Sequence, residues 1–86
     1  MIYITTYTPN RKLNRISIEE AKELLVKGIS QIKDNGTAEY LSQMSGKYIA
    51  VNCYPSVPKK GDVVLVAKLT KLNGEIIPEF SKVEIL

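Results

Sequence analysis

The chain has 86 residues, of which 44% are hydrophobic and 24% charged, and its formal net charge is +3. This balance is typical of one small globular domain and argues against a disordered chain, and the small charge argues against binding to long nucleic acid. With one cysteine and no histidine, the chain lacks the side chains for a disulfide framework or a zinc site, so we expect no metal and no cofactor.

No apolar run approaches the roughly 20 residues of a membrane span, and the first residues do not resemble a signal peptide. We therefore expect a cytoplasmic protein with no membrane partner.

The first third of the chain predicts a strand, a loop and a helix. Residues 2–6 alternate between apolar and polar as in a strand, and residues 7–14 combine turn formers with basic residues as in a loop. Ser17 and Glu20 have the spacing of a capping box, which predicts the start of a helix. Gly28 is expected to end that helix in the left-handed conformation.

The middle third predicts a short strand, a second helix and a third strand. Residues 29–32 fit the strand, and the turn formers that follow precede a helix that begins near Thr37 and ends at Gly46. Residues 48–51 are expected to form the next strand. That strand leads into a kinked segment, residues 52–58, which holds two prolines.

The last third predicts a long buried strand and a hairpin. Residues 63–69 are apolar and mostly β-branched, as in a central strand covered on both faces. Asn73 and Gly74 favour a type I′ turn into a strand over residues 75–77. Pro78 is expected to break that strand or to mark it as an edge, before a last strand over residues 82–86.

The resulting order is β-α-β-α-β-β-β. It predicts an α/β (α+β) fold in which one domain, residues 1–86, contains a mixed five-stranded sheet flanked by two helices.

The turn before the second helix is a candidate anion site, because the first amides of a helix lack partners. Lys33 and the Thr37 hydroxyl could reach a phosphate, Asn35 could hydrogen-bond a base or ribose, and Gly36 allows close approach to the backbone. The same turn also fits a simple cap in which Asp34 or Thr37 accepts helix amides. Both interpretations stay open on the sequence alone.

Aromatic and basic loop residues extend this candidate site. Tyr7 and Tyr54 lie in predicted loops near the turn and could stack on a base, although a lone tyrosine is more often packed. Arg11 belongs to a basic cluster that could close over a polyanion, although such clusters are more often solvated surface.

Residues 32–70 resemble the viral ring nucleases that act as type III anti-CRISPR proteins. In that family a strand leads into a Gly-His-x-x-Thr turn that opens a helix, then come an Asn-Arg pair and a Gly-Asp turn before a long apolar strand. Here Thr37 matches the threonine, Asn52 matches the asparagine, and Gly61 and Asp62 precede VVLVAKLT. The position of the family's catalytic histidine is Asp34.

The resemblance implies a nucleotide-binding fold, a homodimer or higher homo-oligomer, and a pocket at the subunit interface for a cyclic oligonucleotide. The asparagine that contacts ligand at the end of the family's first strand corresponds to Thr6, and the serine corresponds to Thr8 or Pro9. The glutamine of the long strand corresponds to Lys68, and the arginine of the following loop corresponds to Lys71. The resemblance and the residue patterns together predict these ligand-binding residues: Thr6, Tyr7, Thr8, Arg11, Lys33, Asn35, Gly36, Thr37, Asn52, Tyr54, Lys68 and Lys71.

The substitutions weaken the case for catalysis. Histidine can protonate a departing ribose oxygen at neutral pH, whereas an exposed aspartate is already ionised and would repel a phosphate. We therefore expect a phage- or mobile-element-encoded anti-defence protein that binds and sequesters a cyclic oligonucleotide or another nucleotide-derived immune signal in the host cytoplasm. One alternative is a histidine-free phosphodiesterase that uses Asp34 and Lys71. Another is a structural or protein-binding viral module without a ligand.

Overall fold

The computed structural model describes residues 1–52 and 57–86. These residues form five strands and two helices: β1 (Ile2–Thr5), β2 (Asn14–Ile16), α1 (Ile18–Lys27), β3 (Ile29–Ser30), α2 (Asn35–Ser45), β4 (Val63–Leu72) and β5 (Glu75–Glu84). The strand order in the sheet is β2-β5-β4-β1-β3. β1 is parallel to β3 and β4, whereas β5 is antiparallel to β4 and β2. The predicted α+β fold, with a mixed five-stranded sheet and two helices, is confirmed. Within the described ranges, neither helix has the length and apolar character needed to cross a bilayer.

The central strand β4 has a buried cluster on each of its faces. Leu65 and Ala67 join Ile4 of β1, Phe80 of β5 and the buried residues of both helices in the larger cluster. The smaller cluster, on the opposite face, consists of Val64, Val66, Val83 and Ile85. The apolar run that begins at Val63 therefore reads as a strand covered on both faces, as its sequence predicted.

Helix α1 begins as predicted and ends differently. The Ser17 hydroxyl caps the helix and accepts a hydrogen bond from the Glu20 amide at 3.2 Å. Gly28 is not left-handed, because its φ is −85° and its backbone is extended. A Cβ atom at this position would lie 2.7 Å from Cγ1 of Ile4 and 2.9 Å from the carbonyl oxygen of Leu24. The glycine is thus needed for the close approach of α1 to β1, which corrects the expectation of a left-handed stop.

Two short segments differ from the prediction: one forms a strand that was not expected, and one lacks a strand that was. Asn14–Ile16, at and beyond the end of the predicted loop, forms β2 against β5. Residues 48–51 do not form a strand, so that expectation was wrong. The Ser30 hydroxyl donates to the Ala50 carbonyl and the Asn52 amide donates to the Ile32 carbonyl at 2.9 Å. One side-chain and one backbone hydrogen bond therefore take the place of a regular strand ladder here.

The β4–β5 hairpin confirms its turn and corrects its second strand. Asn73 and Gly74 have φ of 52° and 81°, as a type I′ turn requires. Pro78 does not break β5, which continues from Glu75 to Glu84 and places Pro78 opposite Leu69. β2 pairs with residues 80–82, so within the described part of the chain residues 75–79 form an edge on that side. A proline is tolerated there because no neighbouring strand needs its missing amide hydrogen. The observed order is β-β-α-β-α-β-β.

Candidate functional site

Two parallel strands end beside each other and open a cavity at the edge of the sheet. β1 and β3 are paired in parallel, so the residues that follow them emerge at the same edge. Together with one residue from the segment after α2, they line a cavity of about 320 Å³, here called the strand-end cavity. Its lining residues are Thr5, Thr6, Tyr7, Gln31, Lys33 and Asn52. In open α/β sheets, ligands bind beyond the carboxyl ends of the strands.

Backbone hydrogen bonds fix the walls of the strand-end cavity. Oγ1 of Thr5 accepts from the Tyr7 amide at 3.0 Å, which shapes the turn out of β1. The Gln31 amide donates to the Ile4 carbonyl at 2.8 Å. Asn52 binds the segment around β3 twice, through its amide nitrogen to Ile32 and through Nδ2 to the Ser30 carbonyl at 2.9 Å. Asn52 is therefore held against the segment that follows β1 in the sheet, residues 30–32.

A second cavity, here called the loop cavity, adjoins the first. It also measures about 320 Å³ and shares Thr5, Tyr7 and Gln31 with the strand-end cavity. The Arg11 amide donates to the Pro9 carbonyl at 2.8 Å, a tight turn in the segment that lines this cavity. Tyr7 lines both cavities and is 79% exposed. The other lining residues of the loop cavity are Pro9, Arg11, Val57, Pro58, Val64 and Ile85.

The charges of the two joined cavities favour an anion. Among the described residues, Lys33 and Arg11 are their charged lining residues, and no carboxylate lines either one. Three other cavities each include a carboxylate, from Glu39, Glu84 or Asp34. Because a carboxylate repels a phosphate, the strand-end and loop cavities suit a phosphorylated ligand better than the other three.

Asp34 acts as the cap of α2. Its Oδ2 atom accepts from the Thr37 amide and from the Thr37 hydroxyl, both at 2.8 Å. The hydrogen bond from the hydroxyl, followed by that from the amide, lowers the pKa of Asp34 below its ordinary value. The carboxyl group is therefore ionised at neutral pH and cannot give a proton to a leaving oxygen. Of the two interpretations of this turn, the capping one describes Asp34.

The remaining predicted site residues lie apart from the strand-end cavity. Gly36, Thr37 and Lys71 share a cavity of about 240 Å³ with Asp34, between α2 and the hairpin. Asn35 lines a further cavity on another side of α2. Thr8 and Lys68 are exposed, and neither is among the lining residues of the cavities described above. Tyr54 lies outside the described residues.

The structure therefore brings together four of the predicted residues and separates the others. Thr6, Tyr7, Lys33 and Asn52 line one cavity, and Arg11 lines its neighbour. Thr5 and Gln31 line both cavities and were not predicted. Both residues lie at or directly after the end of a strand. That position indicates a shared site only when the pairing of β1 with β3 is known.

No cluster of three or more histidine, cysteine, aspartate or glutamate side chains that could hold a metal ion occurs within residues 1–52 and 57–86. No known protein family and no curated protein matches the chain. The likeness to viral ring nucleases thus rests on the motif residues within 32–70.

Proposed function

We propose that the chain binds a nucleotide-derived second messenger in the strand-end cavity and holds it intact. As a phage- or mobile-element-encoded anti-defence protein, it would remove a cyclic oligonucleotide or a related immune signal from the host cytoplasm. One observation carries the proposal: Thr6, Tyr7, Lys33 and Asn52, from three separate segments, line one cavity that contains no carboxylate among its described residues.

The side chains of the strand-end cavity match the parts of a nucleotide. The Lys33 ammonium supplies a positive charge for a phosphate. The side chains of Gln31 and Asn52 add polar lining to the cavity, and Nδ2 of Asn52 is held there by the Ser30 carbonyl. Tyr7 is sufficiently exposed to stack on a base, a contact that contributes roughly 1 to 3 kcal/mol in single-stranded nucleic-acid binders. This combination favours a nucleotide over a simple inorganic anion.

Retention is favoured over cleavage by the chemistry at the position of the family's catalytic histidine. The chain contains no histidine, and the Asp34 carboxylate is hydrogen-bonded by Thr37 with its pKa lowered. A general acid for a departing ribose oxygen is missing there. Without turnover each site neutralises one ligand, so the protein must bind tightly and be abundant.

The experiment is a retention assay. The protein is incubated with cyclic di-, tri- and tetranucleotides and ADP-ribose-derived signals, free ligand is removed by ultrafiltration, and the fraction released by heating is analysed by mass spectrometry. We expect one compound to be recovered intact, and only after heating. Lys33→Gln should lower its recovery, whereas Lys71→Gln, which removes the same charge from the separate cavity beside α2, should not.

Two outcomes of that assay would favour the other candidate functions. Linear fragments that end in a 2′,3′-cyclic phosphate would establish cleavage, and Asp34 and Lys71, which line one cavity, would then be the first residues to test. If no compound is retained, the structural or protein-binding alternative is favoured.

We also propose that the chain self-associates. Leu72 and Ile77 lie on one face of the β4–β5 hairpin near its tip and are 54% and 41% exposed. A second copy that covers these side chains would remove apolar surface from water. Light scattering should therefore give a dimer mass, and Ile77→Lys should lower it to that of a monomer. A wild-type monomer at concentrations that bind ligand would contradict self-association.

A further inference from the structure

We infer that the ligand contains two linked nucleotide units and occupies the strand-end cavity and the loop cavity together. This inference rests on the proposed function, since it names the ligand class of the same site. It goes beyond that function because it assigns a binding role to the loop cavity and fixes the minimum size of the ligand.

The volumes of the cavities set the first constraint. Each is about 320 Å³, near the lower end of the roughly 300 to 1,000 Å³ of ligand pockets. One cavity alone therefore has room for little more than a single nucleotide. Because the two cavities share Thr5, Tyr7 and Gln31, they adjoin at these residues, and a larger ligand that passes over them would reach both cavities.

The chemistry of the loop cavity sets the second constraint. Pro9, Val57, Pro58 and Ile85 give it an apolar lining that suits the face of a base. Arg11 is its charged residue among those described, and a guanidinium can bind a phosphate through two parallel hydrogen bonds. The loop cavity therefore offers what one base and one phosphate need.

The charges of the two cavities set the third constraint. Lys33 lines the strand-end cavity and Arg11 lines the loop cavity, so each cavity has its own cation. A mononucleotide would satisfy one of them, whereas a ligand with two phosphates would satisfy both. Tyr7, which lines both cavities, is placed to contact the linkage or either base.

Matched ligand pairs test this inference by titration calorimetry: AMP against cyclic di-AMP, and GMP against cyclic di-GMP. We expect the wild-type protein to bind one cyclic dinucleotide at least about tenfold more tightly than the matching mononucleotide, because a second charge-assisted contact is made. Arg11→Gln should abolish most of that advantage. Lys12→Gln, which removes a neighbouring charge that does not line either cavity, should preserve it.

The outcomes separate this inference from the proposed function. If the mononucleotide binds as tightly as the dinucleotide, or if Arg11→Gln leaves both affinities unchanged, the inference fails while nucleotide binding stands. Failure of the wild type to bind either pair also overturns the inference, and the proposed function then survives only if the retention assay recovers another compound. Thermal melts followed by circular dichroism establish that each variant is folded.

Discussion

Oδ2 of Asp34 accepts two hydrogen bonds from Thr37, one from its amide nitrogen and one from its hydroxyl, both at 2.8 Å. Both side chains are thereby committed to the first turn of α2. Lys33, one residue earlier, lines the strand-end cavity instead. Asp34 thus caps a helix, while the adjacent residue contributes to the candidate binding site.

The Asp34 cap should make stability depend on acid pH. Because the pKa of Asp34 is lowered in the folded protein from its ordinary value of 3.8, its contribution is complete above that value and is lost as the pH falls through the lower folded pKa. Asp34→Asn should therefore lower the urea midpoint at neutral pH. The difference from wild type should shrink under acid conditions, and a constant difference across this range would rule out the ionised cap. Thr37→Val serves as a second variant, because it removes one of the two donors.

Two glycine-to-alanine changes should differ in their effect. Gly28→Ala would place a Cβ atom against the buried side chain of Ile4 and the Leu24 carbonyl, so we expect a loss of about 1 to 3 kcal/mol in the free energy of unfolding. Gly36→Ala meets only the Asp34 carboxylate, at 3.4 Å, and should leave stability unchanged or raise it by up to about 1 kcal/mol. Urea denaturation measures both variants. Equal effects would show that the contact with Ile4 does not restrict position 28.

The ion pair between α1 and β5 should show stronger coupling than a pair with a longer distance and a more exposed cation. Nζ of Lys82 lies 2.9 Å from Oε2 of Glu20, and the hydrogen bond to Glu20, followed by the charge of Glu20, raises the pKa of Lys82. The contribution of the Lys82 charge is lost as the pH rises from 10.5, the ordinary pKa of lysine, through the raised value. A double-mutant cycle with Lys82→Met and Glu20→Gln should therefore be non-additive at neutral pH.

The control for that cycle is the pair formed by Arg15 and Glu79. These side chains are 70% and 41% exposed, and their charged atoms are 3.8 Å apart, so little coupling is expected. Additive effects at both pairs would mean that the contact between Glu20 and Lys82 does not help to hold α1 on the sheet.

The hairpin turn predicts a preference for glycine over alanine at position 73. Asn73 has a φ of 52°, a conformation that costs an ordinary residue roughly 1 kcal/mol or more. Asn73→Ala should lower the free energy of unfolding by about that amount, whereas Asn73→Gly should be better tolerated. Denaturation of the two variants in urea gives the comparison. If alanine proves as stable as glycine, the turn does not hold position 73 in the left-handed region.

Local patterns predicted the elements that depend on local physics. The β4 run, the Ser17 cap and the turn at Asn73 each depend on residues close in sequence, and each is present in the structure. β2 has only three residues, two of them exposed, so it has no buried alternation to reveal it. β5 continues through Pro78 because β2 pairs only with residues 80–82 and, among the described residues, leaves Pro78 without a partner strand on that side. This pairing cannot be read from the residues around Pro78.

The candidate site was predicted in part for the same reason. Lys33 and Asn52 come from distant segments, and only the resemblance placed them in one site. Thr5 and Gln31 were not predicted, because they come close together only through the pairing of β1 with β3. Arg11 was predicted from its charge, while the apolar lining around it comes from residues as distant as Pro58 and Ile85.

The most direct test of nucleotide binding at the strand ends is a titration of ¹⁵N-labelled protein, followed by NMR, with the compound that the retention assay recovers. Binding in the strand-end cavity predicts that the amide signals of Thr6, Tyr7 and Lys33 shift with increasing ligand, while those of Gly36 and Lys71 stay in place. Shifts concentrated at Gly36 and Lys71 would move the site to the start of α2. No shift at any of these amides would contradict binding at the strand ends.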